Sequence, residues 1–277
     1  MRELTLAYSP CPNDTYIFAA LTNGMLPGAP EVRVTLRDID ELNAAAARAE
    51  FELVKVSYGA IPTFVENYRI MRSGGALGRG CGPLIVARPG SFFSLAGLGG
   101  KRVAIPGELT TAHLLLRMAV AGGVDAVVMR FDEIVGAVAR GDVDAGLIIH
   151  ESRFTYRDEG LVEVADLGAW WERETGMPIP LGAILARNDI PDDDALQLDD
   201  AVRRSLAFAR ENEAEIMPYV REHAFEMNEN VMRAHIATYV NAYSDDVGTD
   251  GIAAVRELFA RGRQRGLIAP GAEPTFL

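Results

Sequence analysis

Leu4-Thr5-Leu6-Ala7-Tyr8-Ser9-Pro10-Cys11-Pro12-Asn13-Asp14-Thr15 begins as a β-type run, breaks into a stiff polar turn and continues as a helix expected over 16–23. Pro10 and Pro12 fix φ and supply no N–H, while Asn13, Asp14 and Thr15 are residue types that cap a helix N-terminus. A strand ending in such a turn aims backbone N–H groups and the positive end of a helix dipole out of the sheet, a cradle for an anionic or hydroxylated group. The same residues serve equally well as an ordinary capped strand-to-helix turn. Both readings stand on these residues alone.

Outward from this turn, strand-like and helix-like runs alternate, the pattern of an α/β protein with mainly parallel sheets. Strands are expected at 32–36, 53–56, 68–71 and 83–88 and helices at 41–49 and 58–66, with the glycine-rich 73–82 as a flexible loop. A second unit follows Pro89-Gly90, with strands at 102–105, 126–130, 145–149 and 161–164 and helices at 111–121 and 132–140. A short segment at 167–174 and an apolar return at 181–186 complete it. From 193 onward the pattern is helical, with Asp192-Asp193-Asp194 supplying negative charge at the helix start. These last helices have no sheet of their own and must pack on one already made. The economical topology is a first α/β domain formed by 1–88 and 187–277 and a second formed by 89–186. The two crossings make a hinge, and the cleft between the domains is a preferred place for a small-molecule pocket.

With 277 residues, 49% hydrophobic and 24% charged, the chain has a globular composition that can bury a full core. A net charge of -12 with no basic stripe disfavours nucleic acid as a partner. No run approaches the ~20 apolar residues of a membrane span, and Glu3 and Thr5 in the first strand are unlike a secretory signal. Neither a membrane partner nor export is therefore expected, and the expected location is cytoplasmic. Cys11 and Cys81 have no C-x-x-C partner and the four histidines form no His-x-x-x-His pair, so neither a disulfide framework nor a metal site is expected. The oligomeric state is left open, a homodimer included.

The stretches 98–107 (Leu-Gly-Gly-Lys-Arg-Val-Ala-Ile-Pro-Gly) and 141–147 (Gly-Asp-Val-Asp-Ala-Gly-Leu) resemble passages in the second domain of type II periplasmic-binding-protein folds. A more specific combination is Ser9 to Thr15, Lys55-Val56-Ser57-Tyr58, Gly80-Cys81-Gly82-Pro83-Leu84, Pro106-Gly107 with Thr110-Thr111, and Ile148-Ile149-His150-Glu151. In that order it resembles the 1,4-dihydroxy-6-naphthoate synthases of the futalosine route to menaquinone, over the whole chain. The resemblance implies a lyase without cofactor that breaks cyclic dehypoxanthine futalosine into the dihydroxynaphthoate and a small sugar-derived fragment. It also implies that His150 is the general base and that Lys55, Val56, Ser57, Thr110 and Thr111 contact the substrate, a small molecule carrying a carboxylate.

The residues themselves point the same way. His150 follows the apolar run Gly146-Leu147-Ile148-Ile149, at the end of a strand where open α/β sheets bind ligands, and a neutral imidazole accepts a proton without metal or cofactor. The rival reading is a histidine merely satisfied by hydrogen bonds at a strand end. Alternation along a continuing strand would put Glu151 on the opposite face, and Lys55, between Val54 and Val56, could point to solvent. Asn13 with its turn, Ser57, and Thr110 with Thr111 place hydroxyl, amide or N–H donors at three strand-to-helix turns, which favours a polar ligand. His223 and His235 read as surface or packing residues, and His113 as a residue one turn into its helix. Cys11 and Cys81 read as packing or lining residues. Trp170 and Trp171 with 177–180 read either as an apolar wall against the ligand or as a packed surface cluster. Two other functions are compatible with such a cleft, a non-catalytic binding protein for a small organic acid and the related chorismate dehydratase of the same pathway.

Overall fold

The computed structural model describes residues 3–91, 94–225, 228–271 and 273–277. In chain order the strands are β1 (Leu4–Tyr8), β2 (Val32–Leu36), β3 (Leu53–Ser57), β4 (Tyr68–Ile70), β5 (Ala76–Gly78), β6 (Leu84–Ala87), β7 (Arg102–Ile105), β8 (Asp125–Val128), β9 (Ala145–Ile148), β10 (Val162–Asp166) and β11 (Ile179–Arg187). The helices are α1 (Pro12–Thr22), α2 (Ile39–Ala47), α3 (Thr111–Ala119), α4 (Ile134–Arg140), α5 (Ser152–Thr155), α6 (Leu167–Thr175), α7 (Asp192–Glu211), α8 (Glu213–His223), α9 (Glu229–Tyr239), α10 (Ala242–Asp245) and α11 (Gly248–Gln264). One sheet has the order β2-β1-β3-β11-β4, with β5 also paired to β11, and the other has the order β10-β6-β9-β7-β8. Each sheet is the floor of one lobe.

The sheets are mixed, where mainly parallel ones were expected. β1 runs parallel to β2 and β3, and β7 parallel to β8 and β9, but β11 is antiparallel to β3, β4 and β5, and β6 is antiparallel to β9 and β10. The reversed strands are those that follow the crossings. Both join the sheet they enter, so the chain changes sheets between β5 and β6 and again between α6 and β11, earlier than the expected positions near Arg88 and Ala186. Their apolar runs are buried on both faces, and periodicity alone cannot assign such a strand to one sheet or the other.

Among the described residues, three apolar clusters fill the molecule. Leu6, Phe18, Val202, Leu206 and Met217 belong to one that binds α7, α8 and α9 to α1 and the first sheet, so the helical C-terminal region packs where the sequence placed it. A second joins Val54 and Ile70 of the first sheet to Val103 and Leu147 of the other, and a third lies between α4 and the second sheet. Each large side chain removed from water contributes about 1.5–3 kcal/mol, so this shared core is a substantial tie between the lobes.

Several local expectations shift for identifiable reasons. α1 begins at Pro12, with Cys11 as its N-cap, rather than at 16, because proline is well suited to the first helical position. The segment after β3 is a 3-10 turn, Tyr58–Thr63, broken by Pro62, which cannot donate to a continuing helix. The segment after β10 is the helix α6, capped by the Asp166 side chain. The glycine-rich 73–82 is built into the structure. It contains β5, and Ser73 is fully buried, its N–H and Oγ both 2.8–2.9 Å from Asp199 Oδ1.

Gly82 and Gly168 let two backbones meet where the chain enters the second sheet. A Cβ on Gly82 would lie 2.2 Å from the backbone nitrogen of Gly168. Gly82→Ala is expected to destabilise the protein by about 1–3 kcal/mol, read as a lower midpoint in denaturant unfolding. A midpoint equal to that of the wild type would show that these backbones part without cost.

Candidate active site

The cleft between the lobes takes in about 650 Å³ of space, its open mouth included, and lies where small-molecule pockets are preferentially found. Its first wall is built from the β1–α1 turn and β3. Lys55 on β3 points into this wall and is 3% exposed, so the solvent-facing alternative falls. Its Nζ donates to Asp14 Oδ1 at 2.8 Å and to the Gly74 carbonyl at 2.9 Å. The other carboxylate oxygen of Asp14 accepts from Ser9 Oγ at 2.7 Å.

Asn13 lines the cleft, with its amide committed to the protein. Nδ2 donates to Asp14 Oδ1 at 2.8 Å, which leaves Oδ1 to accept from His235 Nε2 at 2.9 Å. Ser57 ends β3. Asn43 Nδ2 donates to Ser57 Oγ at 3.2 Å and the Ser57 N–H donates to Asn43 Oδ1 at 2.8 Å, an arrangement that fixes the hydroxyl and keeps its own proton to give. Val56 alternates away from Lys55 and Ser57, is fully buried in the apolar core and does not line the cleft. Its expected contact with a ligand is not made by its side chain.

The second wall contributes the N-terminus of α3. Thr110 is its N-cap, with Oγ1 accepting from the His113 N–H at 3.2 Å. Thr111 donates from Oγ1 to the Leu181 carbonyl at 2.8 Å and accepts from the Gly59 N–H at 2.9 Å, tying α3 to elements of the first lobe. The first turn of α3 carries no acidic side chain. Thr111 and Ala112 occupy the first two helical positions, whose N–H groups have no intrahelical acceptor, and both residues line the cleft. The sequence thus brings Asn13, Lys55, Ser57, Thr110, Thr111 and His150 around one cleft.

His150 lies two residues beyond β9 with a φ of 55°, a left-handed backbone conformation uncommon for a residue other than glycine. Strain of this kind persists where the surroundings fix the residue, and it clusters at functional sites. The ring lines the cleft, meets Phe131 edge-on at 4.9 Å and lies nearly parallel to His235 at 6.2 Å between centroids. Nδ1 is 3.2 Å from Cys11 Sγ. Burial pushes the His150 pKa down to about 4, with Asp14 opposing the shift and Lys55 adding to it, so the ring is neutral at physiological pH. Because β9 stops at Ile148, the strand alternation expected for Glu151 does not apply, and Glu151 is buried close to Cys11 and His150.

His235 is a packing residue, one of its two expected readings, and it also reaches the cleft. It is 1% exposed, lines the cleft, and shares one face of α9 with Tyr239 four residues on, the rings 4.6 Å apart. The His-x-x-x-Tyr spacing was the available signal, hidden among charged neighbours. His113 and His223 are occupied locally, their Nδ1 atoms 2.9 Å from the carbonyls of Glu108 and Tyr219. Cys81 lines the cleft, and burial pushes its thiol up to about 12. Trp170 and Trp171 pack in the core away from the cleft, Trp171 Nε1 donating to the Pro178 carbonyl at 3.0 Å, so they form no wall against a ligand. Cys11, His150 and Glu151 each place one potential metal-ligand atom within 4.8 Å of the others. Burial, then the charge of Glu151, holds the Cys11 thiol well above its usual pKa, which opposes the thiolate a metal would need.

Two α/β lobes, two crossings and a cleft between them define the periplasmic-binding-protein class of fold. An alkanesulfonate-binding protein of Xanthomonas axonopodis pv. citri, solved with MOPS bound, superposes with a TM-score of 0.76 at 14% identity over 97% of this chain and 94% of that one. A protein of Archaeoglobus fulgidus superposes with a TM-score of 0.90 at 36% identity, over 96% of this chain and 98% of that one. The family model described as menaquinone biosynthesis matches residues 4–264. A Thermus thermophilus protein named 1,4-dihydroxy-6-naphtoate synthase is 50% identical over 277 residues, all of both chains. The chain belongs to the menaquinone biosynthesis family.

Proposed function

We propose that His150 is the general base of a carbon–carbon lyase reaction carried out in this cleft. The activity is that of a 1,4-dihydroxy-6-naphthoate synthase, which acts on cyclic dehypoxanthine futalosine. The observation that carries the role of His150 is its placement, a neutral imidazole on a strained backbone at the end of β9, facing the cleft. His150 removes a proton from the bound cyclic substrate, a carbon–carbon bond breaks, the sugar-derived fragment leaves and the remaining ring system becomes aromatic. Aromatisation supplies driving force, so the protein is left with orientation, proton removal and exclusion of water. A positioned base contributes about 10²- to 10⁴-fold to such a step.

The substrate carboxylate is assigned to the N-terminus of α3, facing Ser57. The first turn of α1 already holds the Asp14 carboxylate, and Asp14 and Lys55 neutralise each other, whereas α3 has no acid of its own and opens onto the cleft. Asn13 and Lys55 then shape and polarise the opposite wall. A biosynthetic lyase of this kind fits a cytoplasmic location, and among the described residues no helix is long and apolar enough to cross a membrane.

Incubation of the protein with cyclic dehypoxanthine futalosine and, separately, with chorismate tests the reading by product analysis. Release of the naphthoate chromophore from the first substrate alone is expected. Dehydration of chorismate would assign the related pathway enzyme, and binding without turnover would assign a receptor.

A further inference from the structure

Among the described residues, the side-chain hydroxyls that line the cleft are those of Ser9, Ser57, Thr110, Thr111 and Tyr239. A hydroxyl has one hydrogen to give. Ser9 gives its hydrogen to Asp14, Thr110 to the Gly107 carbonyl at 2.8 Å and Thr111 to the Leu181 carbonyl. Ser57 keeps its own and is already assigned to the substrate carboxylate. The Tyr239 hydroxyl makes no hydrogen bond to any described residue, although a buried tyrosine usually finds a partner, as Tyr16 and Tyr68 do with backbone carbonyls at 3.0 and 2.6 Å. Nor is it a polar atom sealed in the core without a partner. Tyr239 is the last residue of α9, and its ring packs at 4.6 Å on that of His235, which lies nearly parallel to His150 at 6.2 Å. The uncommitted phenol thus stands in the same stretch of cleft as the base.

We propose that Tyr239 is a further catalytic residue: its hydroxyl donates a hydrogen bond to the substrate oxygen on which negative charge collects as the carbon–carbon bond breaks. The proton goes to His150, and the electron pair it leaves forms the new double bond of the departing fragment. The pair of the broken bond stays with the ring system and reaches one of the two oxygens that become the product hydroxyls. A proton then returns from His150 to that oxygen. A base alone leaves the charge on this oxygen unanswered, whereas a fixed donor in a site that excludes water stabilises it. Lys55 is unsuited to the task, its ammonium being engaged by Asp14 and the Gly74 carbonyl. Burial pushes the Tyr239 phenol above its ordinary pKa, so it stays protonated, as a donor must. The inference rests on the reading of this cleft as that of the naphthoate-forming lyase.

Tyr239→Phe removes only the hydroxyl, and because that hydroxyl binds no described protein group the unfolding midpoint is expected to match the wild type. With cyclic dehypoxanthine futalosine as substrate, Tyr239→Phe is expected to lower kcat about a hundredfold with KM within about threefold, the loss of one donor to a developing oxyanion. A second readout needs no turnover. Bound 1,4-dihydroxy-6-naphthoate, kept anaerobic, is titrated by absorbance on both proteins. Its hydroxyl is expected to ionise about one to two pH units lower on the wild type than on Tyr239→Phe, because the phenol stabilises the anion. A kcat within about threefold of wild type, equal titrations on the two proteins, or a lowered midpoint revealing a protein partner for the hydroxyl overturns the proposal. His150→Ala, run alongside, separates the two roles: a slow alanine variant beside an unimpaired Tyr239→Phe keeps His150 as the base and removes Tyr239 alone. Absence of turnover by the wild type would remove the lyase reading, and the titration would still decide whether Tyr239 meets the naphthoate oxygen.

Discussion

His150→Ala is expected to lower kcat by at least about a hundredfold while KM stays within about threefold of wild type. The imidazole lies in the wall opposite Lys55 and Asp14, and its removal leaves Ser57 and the α3 N-terminus intact to bind the carboxylate. Binding and chemistry therefore separate. The pH dependence has a definite sign. A base must be unprotonated, and burial has moved the His150 pKa down to about 4, so kcat/KM is expected to stay level from pH 8 to about pH 5 and to fall as pH drops through 4. An acid limb near 6.5, the ordinary value for histidine, would show that the ring is solvated in the working enzyme. Near-wild-type turnover in the alanine variant would remove His150 from the chemistry.

The second large effect lies in the opposite wall. Asp14 and Lys55 are 2% and 3% exposed, and their ion pair is braced by Ser9, Asn13 and the Gly74 carbonyl. Asp14→Asn leaves a buried ammonium group without its counter-charge, a change that costs about 3–5 kcal/mol. For a chain of this size that corresponds to a fall in melting temperature on the order of 10 °C. Adding Lys55→Met to Asp14→Asn removes the stranded charge and is expected to recover a good part of the loss, because paired residues do not contribute additively. A single variant as stable as the wild type would mean that water reaches Lys55 and that the pair is no structural element.

Much of the cleft was legible because strand-to-helix turns have strong local chemistry. Pro12, Thr110 and the apolar run before His150 each mark a strand end or a helix start, and three such turns converge in the structure. Pairings across sequence were not legible. Nothing local joins Lys55 to Asp14 or Cys11 to His150, and nothing local sets His235 apart until α9 is packed against α1. The change of sheet was misplaced for a similar reason. β6 and β11 are apolar on both faces, so their sheet membership depends on partners far away in the chain. Val56 marks a further limit, since a motif that adjoins a site includes residues whose side chains point into the core.

The central claim is that the second wall of the cleft both holds the substrate carboxylate, at the N-terminus of α3, and supplies the base, His150. A crystal structure of a His150→Asn variant with intact cyclic dehypoxanthine futalosine tests it most directly. The carboxylate is expected at the N-terminus of α3, within hydrogen-bond distance of Ser57 and the Thr111 or Ala112 amides, with the reacting part of the substrate against residue 150. A carboxylate paired with Lys55, or a reacting centre turned away from residue 150, would contradict the account.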